Sequence, residues 1–220
     1  MDIAVSMTRS SRGGPAKAAV VGSSLMGMIS GTAVANVLTT GTISIPLMRR
    51  GGYRPAVAGA VEAVASTGGQ LMPPIMGAAA FLMADIMEVP YLDITKAALL
   101  PALLFYIAVF ASVHLEAIKI GLKPLESIDI PDVAQSLRNS GHVLLSIPVF
   151  IGTLISGYSV MYSSLAGIIC LLALSLLRHS SRLNPRQLIA AAVSAAEAIL
   201  PVALATATAG IIIGVVTLTG

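Results

Sequence analysis

The residues best placed to do chemistry interrupt two apolar segments. In the stretch from Gly59 to Ala80, the run Ser66-Thr67-Gly68-Gly69-Gln70 and the pair Pro73-Pro74 break a hydrophobic segment of membrane length. A second break lies upstream, in Ser30-Gly31-Thr32-Ala33-Val34-Ala35-Asn36-Val37-Leu38-Thr39-Thr40-Gly41. In lipid each unpaired backbone amide or carbonyl costs several kcal/mol, roughly, so irregular backbone at that depth persists only where it lines a site. A helix that ends there presents about half a charge at its terminus. Free carbonyls, with Ser, Thr and Asn oxygens, suit a dehydrated Na⁺, and helix N-termini suit a carboxylate. Ser30, Thr32, Asn36, Thr39 and Thr40, with Ser66, Thr67 and Gln70, supply such oxygens. Pro73 and Pro74 remove two amide donors and free carbonyls a turn earlier.

The alternative is packing, since small residues line helix contacts in every polytopic protein. Two dense polar breaks within forty residues favour a binding site over packing alone. Glu62, inside an apolar helix, is either functional, or an inward-snorkelling residue or the partner of a nearby Arg such as Arg54. His114 and Glu116 fall near the end of a span, where an interfacial role is expected. The ten methionines read as packing filler.

Enzyme chemistry lacks its parts. No His-Glu-x-x-His zinc motif and no phosphate-cradling P-loop occurs. His114, His142 and His179 all fall near predicted interfaces, away from the polar breaks, which leaves a membrane serine hydrolase as a remote alternative. Cys170, the single cysteine, sits in an apolar run and reads as a small hydrophobe, so disulfides and cysteine metal clusters are out of reach.

Composition sets the class. The chain is 56% hydrophobic and 10% charged, with a mean hydropathy of +0.90. A soluble domain carries about 25% charged residues. Thirteen Lys and Arg without a basic stripe exclude a nucleic-acid partner. An all-α, multi-pass membrane protein is predicted. Residues 1–17 are polar and basic and do not resemble a signal peptide.

The elements that must position the polar residues are apolar segments at about 18–29, 37–48, 55–87, 97–118, 140–157, 160–177 and 187–219. The first two hold about twelve residues each, roughly 18 Å of helix, too short to cross a hydrocarbon core of about 30 Å. As a single span they would separate the basic cluster Arg9, Arg12, Lys17 from Arg49, Arg50, Arg54. As a re-entrant hairpin they place both on one side. Continuing the chain then puts twelve Lys and Arg inside and Lys96 alone outside, as the positive-inside rule favours. Residues 187–200 read as an interfacial arm helix that Pro201 ends by turning the chain.

With its two polar breaks, Ile45-Pro46-Leu47-Met48, the stretch Gly59 to Ala84, His114-Leu115-Glu116 and Gly210 to Gly220, the chain resembles the large membrane subunit of TRAP transporters. The likeness is greatest to fused permeases of the TAXI type. The resemblance implies an inner-membrane, Na⁺-coupled elevator with two inverted repeats, importing an organic acid delivered by a periplasmic binding protein. By motif position, Ser30, Asn36, Ser66, Gly68 and Pro73 would hold or frame Na⁺. Thr39, Thr40, Thr67, Gly69 and Gln70 would lie nearer the substrate.

Residues 1–118 would form the hairpin, broken helix and following span of the transport half. Residues 119–186 would add a cytoplasmic loop and two scaffold-type helices, and 187–220 the arm and the start of a second repeat. The family's second hairpin and its own double-proline break should follow Gly220, so the chain reads as roughly the first repeat. The rest of the permease, in the same or a companion chain, is then a required partner. A non-transporting scaffold, or a permease of another inverted-repeat anion/Na⁺ symporter family without a binding protein, is the alternative.

Overall fold

The computed structural model of the chain describes residues 2–8, 11–122, 141, 145–177 and 184–219. Among them the structure is helical without strands: α1 (Asp2–Thr8), α2 (Gly14–Ser30), α3 (Ala33–Arg50), α4 (Pro55–Gly69), α5 (Ala78–Ile86), α6 (Tyr91–Lys119), α7 (Ser146–Ile155), α8 (Val160–Leu177) and α9 (Pro185–Thr219). The predicted all-α class matches. His142, His179, Lys123, Arg138, Arg178, Arg182 and Arg9 lie outside the described residues.

Helix α2 opens with Pro15 in its first turn, where a missing amide costs nothing. It closes on Gly31 at φ 65°, whose N–H returns to Gly27 O at 2.9 Å. That left-handed cap is a conformation glycine adopts without strain. Thr32 is extended, and α3 starts at Ala33. The chain therefore reverses within two residues. At the far end of the pair, a methyl group built on Gly51 would stand 2.7 Å from Pro15 Cγ. Helices α2 and α3 are thus an antiparallel hairpin, with Arg12 and the Arg49-Arg50 pair at one end. A single span made of both segments is ruled out by this geometry.

The legs are longer than their apolar runs suggest. Helix α2 has 17 residues and α3 has 18, about 26 and 27 Å at 1.5 Å per residue. The expectation of two twelve-residue legs is corrected, because backbone hydrogen bonding carries each helix past its hydrophobic stretch into polar residues. Lys17 shows how: counted among the end charges, it lies inside α2, buried, with Nζ 5.2 Å from the centre of the Phe110 ring. The favourable contact with the ring face compensates part of its desolvation.

The hairpin packs on α4, and these three helices with α6 enclose the main core. Ala16, Ala19 and Val20 of α2 meet Met48, Tyr53, Ala58, Ala65, and Tyr106, Val113 and Ala117 of α6. Alanines dominate because the helices approach too closely for larger side chains. A second core joins the break to α5, α6 and α7 through Met76, Ala80, Tyr91, Phe150 and Leu154.

Among the described residues α6 is the one helix long and apolar enough to cross a membrane, and shorter apolar helices cover 146–155, 160–176 and 206–219. Its Leu100, Leu104 and Ile107 are 58–65% exposed, an outward apolar face that water would penalise. Helix α9 runs unbroken from Pro185 to Thr219. The turn expected at Pro201 is not made, since one lost hydrogen bond does not end a helix of 35 residues.

Candidate functional site

The interruption of the 55–87 segment falls where its prolines place it. Helix α4 ends at Gly69, and α5 begins at Ala78. The last turn tightens, with the amides of Gln70, Leu71 and Met72 reaching Thr67 O, Gly68 O and Gly69 O at 3.0–3.2 Å. Pro73 and Pro74 would leave the carbonyls of Gly69 and Gln70 without helical donors. Both are nevertheless taken, Gly69 O by Met72 N–H at 3.2 Å and Gln70 O by Gly77 N–H at 2.8 Å. Tyr91 at the start of α6 donates its hydroxyl to Ile75 O. The break is thus tied at the carbonyls of Gly69, Gln70 and Ile75.

The hairpin tip lies against this loop. A methyl group on Gly77 would stand 3.0 Å from both Gly31 O and Gln70 Cβ, and one on Gly31 would stand 3.0 Å from Met76 O. Gly31, Gln70, Met76 and Gly77 are therefore neighbours. Ser30, at the same tip, donates its hydroxyl to Thr32 O at 3.3 Å. Pro73 is half-buried in the loop.

Deeper in the three-helix body lies a second polar group, centred on Glu62. Its side chain is 0% exposed. Its Oε1 accepts from Ser23 Oγ of α2 at 2.7 Å and from Ser66 Oγ of its own helix at 3.1 Å. Thr40 of α3 also donates to Oε1, and Ser44 of α3 donates to Oε2. Asn36 Nδ2 donates to Ser23 O at 2.8 Å, which places Asn36 in the same cluster. Ser23, Asn36, Ser44 and Ser66 are each 0% exposed. Burying a carboxyl group is costly unless hydrogen bonds replace its water, and four hydroxyls do so here.

Arg54, weighed above as the partner of Glu62, does not pair with it. It is exposed at the start of α4, and among the described residues the ion pairs are Asp93–Lys96 and Glu116–Lys119. The packing geometry turns Glu62 into the hairpin, where, among the described residues, its hydrogen-bond partners are hydroxyls and no ion pair forms.

Of the sequence-predicted residues, Asn36, Thr40 and Ser66 come together around Glu62. Ser30, Gln70 and Pro73 belong to the tip and the break. Gly68 and Gly69 are contact points: a methyl on Gly68 would stand 2.2 Å from the Phe105 ring, and one on Gly69 would stand 2.5 Å from Gly27 Cα. Thr39 and Thr67 are exposed on the outer faces of α3 and α4 and bond back to Ala35 O and Ala63 O. They do not join the cluster. His114 is half-buried on α6 with an enclosed Nδ1 that has no partner among the described residues, and Cys170 is half-buried on α8.

Ser23, Ser44 and Gly27 were not singled out by sequence. Spacing could have found Ser44, because Asn36, Thr40 and Ser44 repeat every fourth residue on one helix face. An open apolar cleft of about 450 Å³ between α4 and α6, lined by Tyr53, Val57, Val61, Val113 and Glu116 among others, contains none of the predicted site residues.

Two comparisons with known proteins bear on this arrangement. The family model for the tripartite ATP-independent periplasmic transporter, DctM component, matches residues 1–220. An uncharacterized protein of Sinorhizobium fredii (strain NBRC 101917 / NGR234), y4mL, is 34% identical over 93 residues, which are 42% of this chain. The match spans 22% of the length of that relative. The chain belongs to the DctM family.

Proposed function

We propose that this DctM-family chain contributes the hairpin and broken helix of a multi-pass, Na⁺-coupled permease that imports a small organic anion across the inner membrane. A periplasmic binding protein would deliver the anion, as the family's tripartite description suggests, and the rest of the permease would complete the site. The observation that carries this reading is the buried Asn36–Thr40–Ser66–Glu62 cluster beside a hairpin tip that lies on the break. An ordinary membrane anchor gains nothing from burying a carboxylate and an amide among helices, whereas a cation pathway does.

In this reading Asn36 and Ser66, with the Ser30, Gly68 and Pro73 region at the tip, hold or frame Na⁺. Thr40 and Gln70 face the substrate side, with Gly69 shaping it. Thr39 and Thr67 would meet the substrate on the outer faces of their helices, enclosed by a further part of the permease. Bound cations offset the charge of the anion, so the loaded domain crosses lipid at lower electrostatic cost. The hairpin and α4 share one core and one polar cluster, which suits movement as a single body in an elevator.

The test is uptake by the complete permease and its binding protein in proteoliposomes, with and without an inward Na⁺ gradient. Na⁺-driven uptake that Asn36→Ala reduces at least about tenfold, or about 1.4 kcal/mol, is expected. Uptake indifferent both to Na⁺ and to Asn36→Ala overturns the proposal.

A further inference from the structure

We infer that Tyr91 is a positioning residue: its hydroxyl holds the break loop in the shape on which the hairpin tip seats. The inference deepens the reading above, in which Ser30 at the tip and Gln70 and Pro73 in the loop belong to one site. A short run of backbone links Tyr91 to the tip. Its hydroxyl donates to Ile75 O and lies 3.4 Å from Pro74 O. The next residue, Met76, has its carbonyl oxygen 3.0 Å from the position of a methyl group built on Gly31. Gly77 follows, with its N–H on Gln70 O at 2.8 Å and a built methyl 3.0 Å from Gly31 O.

Met76 stands at φ 61°, a left-handed backbone that a residue with a side chain keeps only where its surroundings impose it. The hydrogen bonds at Ile75 O and at Gly77 N–H clamp it from both sides. The upper jaw is rigid, because the Tyr91 ring is 5% exposed and stacks on Phe81, with centroids 4.7 Å and planes 9° apart. Losing the hydroxyl lets Met76 relax toward negative φ, which turns its carbonyl away from Gly31 and unseats the tip. Tyr106 provides the comparison. It too donates a buried hydroxyl to a main-chain oxygen, Ala65 O at 2.8 Å, but outside the break loop.

Hydrogen exchange of the complete permease in lipid nanodiscs, followed in peptides covering 27–36 and 70–80, reads the seat directly. Tyr91→Phe, which keeps the ring, should raise exchange in both about fivefold. Tyr106→Phe should leave both within about twofold. Adding Met76→Gly to Tyr91→Phe should return exchange toward the parent, because glycine holds φ 61° without strain. A glycine that merely loosened the loop would do the opposite. Phe81→Leu, which removes the stack and not the hydroxyl, should raise both about twofold and serves if Tyr91→Phe does not accumulate as folded protein. In uptake with the binding protein, Tyr91→Phe should raise the half-maximal Na⁺ concentration at least about twofold, as fewer molecules have the tip seated. Unchanged tip exchange in Tyr91→Phe, an equal rise in Tyr106→Phe, or a further rise on adding Met76→Gly overturns the inference whatever uptake shows. So does raised exchange at unchanged half-maximal Na⁺ when uptake by the parent is Na⁺-driven. Na⁺-independent uptake by the parent overturns the reading alone, and the exchange results still decide the inference.

Discussion

Gly27 of α2 and Gly69 of α4 meet backbone to backbone. A methyl group on Gly69 would stand 2.5 Å from Gly27 Cα, and one on Gly27 would stand 2.7 Å from Gly69 Cα and 2.8 Å from Asn36 Nδ2. The two contacts with backbone cannot relax by rotating a side chain. This approach draws α2 and α4 close enough for Ser23 to reach Glu62.

Gly69→Ala and Gly27→Ala should therefore each destabilise the protein by about 1–3 kcal/mol, the usual range for overpacking. Gly59, with nothing within 4 Å of a built methyl, is the control. Gly59→Ala in mid-α4 should be neutral or stabilising by up to about 1 kcal/mol. Thermal unfolding of the detergent-purified protein checks both, and equal effects at positions 59 and 69 would contradict the packing.

Glu62→Leu should lower stability by at least about 2 kcal/mol, because Ser23, Ser44, Ser66 and Thr40 lose a shared acceptor in a buried site. The readout is the same unfolding midpoint. A variant as stable as the parent would mean that the hydroxyls find other acceptors without cost.

Thr39→Val and Thr67→Val should change stability by no more than about 0.5 kcal/mol, since both hydroxyls are exposed and bond only within their own helices. Thr40→Val, one position along from Thr39, should cost about 1 kcal/mol or more. Denaturant titrations of the three variants separate the outer face of α3 from its buried face.

Topology can be read by thiol labelling in a Cys170→Ala background. The Gly51–Pro15 contact puts both ends of the hairpin together, so Arg12→Cys and Arg50→Cys should react from the same, cytoplasmic, side. Labelling from opposite sides would refute the antiparallel pair. Thr32→Cys at the tip should stay unlabelled from outside if the hairpin re-enters, and should label if both legs cross.

The Tyr53 phenol, in the link between α3 and α4, is pushed up to about 12 by burial and, to a lesser degree, by the Glu116 carboxylate. An unfolded tyrosine titrates near 10. Between those values the unfolded chain gives up a proton that the folded one keeps, so the stabilisation present below pH 10 is lost as pH rises from about 10 to 12. Tyr53→Phe should weaken this alkaline loss while changing stability little at pH 7, because the phenol makes one long contact, 3.5 Å, to Val113 O. An alkaline profile identical to that of the parent would rule Tyr53 out as its source.

Much of the fold was legible in the chain itself. Pro73-Pro74 and the glycines before them located the break within a few residues, because loss of two amide donors is a local property. A reversal near Ser30 to Asn36 was legible too, from the polar break there and from the basic clusters that a hairpin brings to one side. Leg length was not, since hydropathy marks where a helix is apolar and not where its hydrogen bonds stop. Arg54 was a partner for Glu62 by proximity along the chain, but eight residues of helix separate the two by about 12 Å along the axis, and Glu62 faces the hairpin while Arg54 is exposed. Pro201 looked like a helix end and is not one.

By itself, then, the sequence determined that the chain is helical and apolar, that its polar residues cluster in two breaks, and that its basic residues flank a hairpin. Those features follow from local backbone chemistry and from the cost of placing charge in lipid. The tertiary structure alone decided which oxygens meet. It took Asn36, Thr40 and Ser66 from the predicted set, left Thr39 and Thr67 outside, and added Ser23 and Ser44. The reason is geometric: Gly27 and Gly69 let α2 come close to α4, α3 turns Thr40 and Ser44 toward the same point, and Glu62 can gather hydroxyls from three helices only once they are packed in this way.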